Sequence, residues 1–263
     1  MKEHLWNILE AEAAQQVKRE PLLAVLFHET ILQHRSFQEG LAHCLASKLA
    51  GTVCTFESLQ LLMTHAFDED ENIVAAAEAD VIAAHDRDPA CRNYYVPFLF
   101  YKGFLAIQTY RVAHWLWRNE RYALALHLQH RASELFAVDI HPAARIGRGI
   151  LLDHATGFVA GETVVIEDNV SLLHEVTLGG TGKERGDRHP KVRSGVTVGA
   201  GAKILGNVEI GSGAKIGAGS VVVDHIPAAR TAVGARAKLV SLRPVVENDI
   251  KSRLVAATAA VAL

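Results

Sequence analysis

The chain has 263 residues, a formal charge of −2 and 49% hydrophobic residues, which is enough for one large or two moderate domains. The small net charge gives no reason to expect binding to nucleic acid or to an anionic membrane surface. No apolar run is long enough to span a bilayer, and an N-terminus that carries Glu3, Glu10 and Glu12 is unlike a signal peptide.

The three cysteines, Cys44, Cys54 and Cys91, are odd in number and lack the spacing of metal ligands. We therefore expect buried thiols in a reducing compartment rather than disulfides, and a cytoplasmic protein.

Residues 1–138 are rich in alanine and leucine, poor in glycine, and repeat their apolar residues at intervals of three and four. This spacing predicts an all-α domain. Breaks in the pattern divide it into predicted helices at about 2–19, 22–35, 37–50, 56–67, 68–85, 97–119 and 122–136. The pattern changes near Asp139, which we take as the domain boundary.

Residues 139–243 form a second predicted domain, because a six-residue repeat runs through them. The repeat positions, all aliphatic or Phe, are Ile140, Ile146, Leu152, Phe158, Val164, Val170 and Val176, followed by Val192, Val198, Ile204, Ile210, Ile216 and Val222. A helix would need apolar spacing near 3.6 and would not tolerate this much glycine. Short strands separated by corners fit, so three hexapeptides make one triangular coil, and coils stack roughly 4.8 Å apart. The sequence thus predicts a parallel β-helix in which residues eighteen apart lie above one another.

The repeat is interrupted once, between Val176 and Val192. We predict a single protruding loop over 178–191, which is charged, glycine-rich and carries Arg188 and His189. Loops on rigid scaffolds commonly carry functional residues. A surface excursion without function is the alternative.

His154 is the first candidate for chemistry. It lies two residues after the inward-facing Leu152, so its side chain should point outward, with Asp153 beside it and Asp139 about one coil earlier. A carboxylate within reach of an imidazole can fix its tautomer and stabilise its protonated form, as in a general base and its orienting group. The alternative is an exposed histidine without function, with Asp139 as a turn or capping residue.

His174 falls at a later corner, where we expect it to stack over Thr156 in a structural role. Together with His154 and His189 it could suggest a zinc site made across subunits. The spacing does not match such a trio, and we predict no metal.

Two late corners contain Gly-Ala-Gly, with Ala200 and Ala218 at their centres, and Lys215 lies close to the second. Small residues let a thin ligand lie against the backbone, and a lysine can meet a phosphate. The same pattern is also what a tightly turning coil needs.

The motifs of the chain, taken in order, identify a family. They are RDPA at 87–90, YKGF at 101–104, HWLW at 114–117, DIHPAA at 139–144, LDHATG at 152–157, TLGGTGK at 177–183, DRHPK at 187–191 and GAGAKILG at 199–206. Over roughly residues 5–235 the chain resembles bacterial serine O-acetyltransferases, members of the hexapeptide-repeat acetyltransferases. The repeat is common to many acyltransferases, whereas the helical domain combined with the Asp-Arg-His-Pro loop is specific.

The resemblance implies a left-handed β-helix and transfer of acetyl from acetyl-CoA to the hydroxyl of L-serine, the first step of cysteine biosynthesis. By resemblance, His154 is the general base, oriented by Asp139, and attack is direct, without an acyl-enzyme. A positioned base contributes roughly 100- to 10,000-fold in rate. The resemblance also implies that serine contacts Asp88, Asp153, Arg188 and His189, of which His189 is also a catalytic candidate. It implies that CoA contacts Gly180, Thr181, Ala200, Lys215 and Ala218.

The family forms trimers through the β-helices, with active sites between neighbouring rods, and two trimers meet through the helical domains. Inhibition by L-cysteine at the serine site is also implied. Two departures count. Gly234-Ala235-Arg236-Ala237 replaces the usual Gly-x-Pro-Ala, and the tail over 244–263 reads as an alanine-rich helix ending at Leu263. Many relatives end in an isoleucine that enters O-acetylserine sulfhydrylase, so the tail counts against such a complex.

Two other functions are compatible with the repeat. One is acyl transfer to a different small hydroxylated substrate, such as homoserine, a sugar or an antibiotic. The other is a non-catalytic scaffold that binds sulfhydrylase or senses cysteine. The loop together with Asp88 favours an amino-acid substrate, and intact His154, Asp139 and His189 favour an enzyme.

Overall fold

A computed structural model of the chain describes residues 2–183 and 185–234. The tail over 244–263 and the Ala235-Arg236-Ala237 departure lie outside the described residues. Within the described ranges, no helix combines the length and the apolar character needed to cross a membrane. All three thiols are free; Cys44 and Cys91 are buried as predicted, whereas Cys54 is only partly buried.

Eight α-helices precede the first strand in the part of the chain that the structure describes. They are α1 (Lys2–Arg19), α2 (Ala24–Phe27), α3 (Phe37–Leu49), α4 (Phe56–Glu69), α5 (Glu71–Arg87), α6 (Tyr95–Phe100), α7 (Lys102–Arg118) and α8 (Tyr122–Phe136). Side-chain oxygens cap the N-termini of several of these helices. The Ser36 hydroxyl accepts a hydrogen bond from Glu39 N at 3.2 Å, and the Thr55 hydroxyl accepts one from Ser58 N at 3.3 Å. The predicted all-α region is therefore confirmed.

The predicted helix over 22–35 is confirmed as a helical segment over 21–32, but it is not a continuous α-helix. A 3₁₀ turn (Pro21–Leu23), the single turn α2 and a π-helical turn (His28–Leu32) take its place. Pro21 favours the tight first turn because its fixed φ suits a helix start and it has no N–H to donate. At the other end, the Gln33 side chain donates to the Glu29 carbonyl at 2.7 Å.

The predicted helix over 97–119 is broken at Tyr101, which has φ −80° and ψ 105° and separates α6 from α7. The Tyr101 hydroxyl donates a hydrogen bond of 2.5 Å to Asp88 Oδ2 at the end of α5. The break therefore places the first residues of α7 beside the candidate active site.

The rest of the described chain is a parallel β-helix, as predicted. Its strands are β1 (Val138–Ile140), β2 (Arg145–Ile146), β3 (Leu151–Leu152), β4 (Phe158–Ala160), β5 (Val165–Ile166), β6 (Ser171–Leu172), β7 (Thr177–Gly179), β8 (Lys191–Val192), β9 (Thr197–Val198), β10 (Lys203–Leu205), β11 (Glu209–Ile210), β12 (Lys215–Ile216), β13 (Val221–Val222) and β14 (Thr231–Ala232). Face A is β1-β4-β7-β10-β13, face B is β2-β5-β8-β11, and face C is β3-β6-β9-β12-β14. Of the predicted inward positions, all but the partly buried Ile146 are buried.

The first coil is longer than predicted. Val138 pairs with Phe158 and Asp139 with Val159, so this coil advances twenty residues, whereas Lys191 pairs with Glu209 at the predicted eighteen. The additional length lies in the corner over 153–157, which turns through left-handed backbone conformations. His174 consequently packs on the His154 ring, with ring centroids 5.7 Å apart, and the predicted stacking over Thr156 is wrong.

The interruption of the repeat is located as predicted. Thr177 pairs with Lys203, twenty-six residues later, and the additional residues lie between the end of β7 and the start of β8.

The corners of the β-helix line up along its edges, two of which concern the site. The His154 edge, between faces C and A, comprises 153–157, 173–176, 199–202 and 217–220. The His189 edge, between faces A and B, comprises 141–144, 161–164, 180–183, 185–190 and 206–208.

A buried polar cluster joins the helices to the first coil. Arg111 on α7 pairs with Asp80 on α5, with 2.7 Å between Nη2 and Oδ2, and both side chains are more than nine-tenths buried. Asp80 also accepts from Ile150 N at 2.7 Å and from Gln108 Nε2 at 3.0 Å. Arg111 Nη2 donates to Gly147 O at 2.8 Å. Because the buried charges are paired and hydrogen-bonded on both sides, helices and coil share one core.

Candidate active site

A cavity of about 380 Å³ lies where the end of α5, the α6–α7 break and the first corner of the His154 edge meet. Its lining includes Asp88, Tyr101, Lys102, Asp153 and His154. Two carboxylates, one ammonium group and one imidazole therefore face the same space. This combination suits a small zwitterion with an ionisable or hydroxyl group.

His154 is oriented outward, as predicted. Its side chain is 72% exposed, and its Nε2 lies 3.7 Å from Asp153 Oδ2. That separation is too long for a hydrogen bond but short enough for a direct charge contact whenever the imidazole is protonated. The backbone of His154 is left-handed, with φ 55°, and the adjacent Ala155 has φ 59°. An accessible imidazole beside a carboxylate can accept and return a proton.

Asp139 lies on β1 of face A, and its Oδ1 accepts a hydrogen bond of 2.6 Å from Gln129 Nε2 on α8. The described residues form no hydrogen bond between Asp139 and His154. The corner that carries His154 does pass beside β1, since Gly157 N donates to Ala137 O at 2.8 Å. The orienting role of Asp139 stays a prediction.

Asp88 ends α5 and faces the cavity. Its Oδ1 accepts from Ala90 N at 2.8 Å, and its Oδ2 accepts from the Tyr101 hydroxyl. Burial, together with the hydrogen bond to Asp88, raises the pKa of Tyr101, so this phenol stays a donor at neutral pH. Asp88 is thus held in place while keeping lone pairs for a ligand.

His189 lies on the other edge and is buried, with 7% of its surface exposed. Its Nδ1 contacts Thr163 Oγ1 at 2.8 Å and accepts from Thr163 N at 3.2 Å. Burial, followed by the charges of Arg188 and Lys191, lowers the pKa of His189. The ring is therefore neutral near pH 7 and, with Nδ1 accepting, carries its proton on Nε2. It packs on Gly161, where a Cβ would lie 2.0 Å from Nε2.

Arg188 is held by a residue that the sequence reasoning missed. Its Nη2 donates to Glu162 Oε2 at 2.8 Å, and this hydrogen bond lowers the pKa of Glu162. Glu162 fixes the guanidinium at the His189 edge while leaving other donors available. The only sign of this role in the sequence is the charge of Glu162, which directly follows Gly161 one coil before the loop.

The five predicted CoA contacts divide between the edges. Gly180 and Thr181 follow β7 on the His189 edge, whereas Ala200 and Ala218 occupy successive corners of the His154 edge. Lys215 is exposed on β12 of face C. One chain alone does not gather these residues around a single ligand.

The same division applies to the predicted serine contacts. Asp88, Asp153 and His154 meet in the cavity, whereas Arg188 and His189 lie beyond the other end of face A. At a strand rise of roughly 3.3 Å per residue, the two edges are separated by on the order of 15 Å. Among the described residues, no group of three or more His, Cys, Asp or Glu is arranged to hold a metal ion.

Comparison with known proteins finds two matching family models and similar relatives that cover most of the chain. A family model described as "Serine acetyltransferase, N-terminal" matches residues 5–109, and one described as "Bacterial transferase hexapeptide (six repeats)" matches residues 189–224. A serine acetyltransferase of Salmonella typhimurium is 52% identical over 238 residues, which cover 90% of this chain and 87% of that protein.

Solved structures of relatives superpose closely. A serine acetyltransferase in complex with cysteine has a TM-score of 0.88 and 51% identity, covering 92% of this chain and all of that one. A soybean serine acetyltransferase complexed with serine has a TM-score of 0.87 and 54% identity, covering 91% and 98%. A serine acetyltransferase from Brucella abortus in complex with coenzyme A has a TM-score of 0.87 and 46% identity, covering 90% and 95%.

Proposed function

The chain belongs to the serine acetyltransferase family, and on that premise we propose that it transfers acetyl from acetyl-CoA to the hydroxyl of L-serine, giving O-acetyl-L-serine and CoA. The observation that carries the proposal is the accessible His154 in a cavity shared with Asp88 and Asp153. In a cytoplasmic pathway this reaction would be the first step from serine to cysteine.

His154 is the proposed general base. The imidazole takes the proton from the serine hydroxyl as its oxygen attacks the thioester carbon, forming a tetrahedral oxyanion. Collapse breaks the carbon–sulfur bond, and the CoA thiolate takes the proton back from the imidazolium. Asp153, 3.7 Å away, stabilises the imidazolium, and Asp139 orients the ring if its carboxylate turns from Gln129. No acyl-enzyme is required.

The charges of the candidate residues suit a zwitterionic amino acid. Asp88 and Asp153 would accept hydrogen bonds from the ammonium group, and Arg188 with the Nε2 proton of His189 would donate to the carboxylate. A backbone N–H near Gly180 is the proposed donor to the oxyanion.

These contacts require two chains, because the two edges of one chain are too far apart to hold one serine molecule. We propose that the His154 edge of one copy meets the His189 edge of the next, which repeats around a trimer to give three sites. CoA would lie in the same groove, between Gly180 and Thr181 of one copy and Ala200, Lys215 and Ala218 of the other. We further propose that two trimers pair through their helical domains. We propose no complex with a sulfhydrylase.

Mixed oligomers test this arrangement. His154→Ala and His189→Asn should each be inactive alone, because each damages every site. When the two variants are co-expressed with different tags and purified as hetero-oligomers, some interfaces combine two intact edges, and activity should return to a substantial fraction of the wild-type value. Each variant carried through the same purification alone is the control. Activity no higher than the average of the two parents would exclude sites shared between chains.

The acceptor is tested by CoA release with L-serine, L-homoserine and a simple sugar. A site built to hold a zwitterion should favour serine over the sugar by about 10⁴-fold in kcat/KM, because the sugar leaves buried polar groups unpaired. Preference for homoserine or the sugar would support another acyltransferase. No release with any acceptor would support a scaffold.

A relative has been solved with cysteine bound, and we propose that L-cysteine inhibits this protein by occupying the serine position. Cysteine should raise the apparent KM for serine and leave kcat unchanged at saturating serine. No competition at millimolar cysteine would rule out this regulation.

A further inference from the structure

The first residue of α7 is connected to the backbone of His154 by hydrogen bonds. Lys102 Nζ donates to Thr156 Oγ1, and the Thr156 hydroxyl is directed at the His154 carbonyl oxygen, 3.4 Å away. The Thr156 amide donates to the same carbonyl at 2.7 Å. A continuous chain of donors therefore runs from the helical domain to the residue proposed as the base.

The second residue of α7 packs on the same corner from the other side. A Cβ on Gly103 would lie 2.0 Å from the Leu152 carbonyl oxygen and 3.1 Å from the Ala155 side chain. Only a glycine allows this approach. The corner therefore cannot move toward α7 without a collision, while Lys102 prevents Thr156 from moving away.

The corner needs such support because its backbone is unfavourable. His154 and Ala155 both have positive φ, a region in which a residue with a Cβ is strained. Such conformations persist only where the surroundings fix them, and they cluster at functional sites. The corner is also the one in which the first coil departs from the regular length, so the hexapeptide pattern alone does not specify its shape.

We infer that Lys102 and Thr156 are positioning residues that hold His154 at the angle the reaction needs. This inference rests on the proposed role of His154. Lys102 lines the same cavity as the candidate substrate contacts, but its ammonium is directed to Thr156, so it acts on the base rather than on the substrate. The helical domain thereby takes part in catalysis beyond supplying Asp88.

Substitutions that remove one donor at a time test the inference. Thr156→Val keeps the shape and removes the hydroxyl, and Lys102→Met keeps much of the stem and removes the charge. Because small displacements of a reacting group can cost on the order of 100-fold, each should lower kcat by about 10- to 100-fold. KM for serine and for acetyl-CoA should change much less. The double variant should lose no more than either single one, since both residues act through one chain.

Lys102→Arg supplies a rescue, because it restores a charged donor and should recover part of the lost kcat. Lys48→Met and Thr64→Val, exposed substitutions on α3 and α4, control for the chemistry of the replacements. If the variants and the wild-type protein have equal melting temperatures, unfolding is excluded as the cause of a lower kcat.

The inference is overturned if Lys102→Met and Thr156→Val keep wild-type kcat, if their losses multiply, or if the loss appears in KM for serine alone. The last result would make Lys102 a substrate contact. His154→Ala is measured in the same assay. If this variant keeps wild-type turnover, the proposed function fails. If it is inactive while Lys102→Met is fully active, only the positioning role is rejected.

Discussion

Replacing His154 by alanine is expected to lower kcat by roughly 10²- to 10⁴-fold, the usual contribution of a positioned general base. The KM for acetyl-CoA should be nearly unchanged, because the imidazole is proposed to move a proton during the reaction and is not among the residues proposed to bind CoA. CoA release with saturating L-serine measures the effect. His130→Ala, at an exposed histidine on α8 that pairs with Glu134, is the matched control and should keep full activity.

A second measurement on the same variant separates loss of the base from loss of structure. Since 72% of the His154 side chain is exposed, the alanine variant should leave a gap open to solvent. Added imidazole should then enter and restore part of the turnover, with a dependence on its unprotonated fraction. Turnover of His154→Ala within a few-fold of wild type would contradict the role of His154 as the base.

The largest effect on stability is expected at Asp80. Asp80→Ala leaves the Arg111 guanidinium buried without its carboxylate and leaves the Ile150 amide without its acceptor. Removing one partner of a buried ion pair costs about 3–5 kcal/mol. For a chain of this size we expect the melting temperature to fall by roughly 10 °C.

Asp86→Ala is the matched control for this prediction. Asp86 lies on the same helix, is largely exposed and contacts His85, so its loss should change the free energy of unfolding by less than about 0.5 kcal/mol. Replacing Asp80 and Arg111 together by leucine should recover part of the loss, because no unpaired charge remains. A melting temperature for Asp80→Ala within two or three degrees of wild type would show that the cluster does not hold the domains together.

The repeat could be predicted because one physical rule governs it. Each coil must bury one apolar side chain per face, so Val198, Ile204 and Ile210 mark the interior whatever their neighbours do. The outward direction of His154 follows from the same rule. These predictions needed only the local period of the chain.

The remaining features depend on contacts between distant residues. The break at Tyr101 is stabilised by Asp88 on another helix, and nothing in the apolar spacing of 97–119 marks it. The pairing of Arg188 with Glu162 joins a loop to the preceding coil. The longer first coil is not apparent from the sequence because Phe158, at the six-residue position, is buried over Val138, although the register partner of Ile140 is Ala160. A period in sequence does not reveal where an additional residue is accommodated.

The longer first coil has a consequence for how such proteins diversify. A first coil of eighteen residues would keep the hydrogen bonds of all three faces. Deleting the two additional residues within 153–157 should therefore yield a folded β-helix without catalytic activity. An insertion at the equivalent place in an inert rod would create a raised, strained turn on which a new reactive side chain could arise. Searches for unrecognised enzymes among solenoid genes should therefore score the length of each turn as well as the identity of its residues.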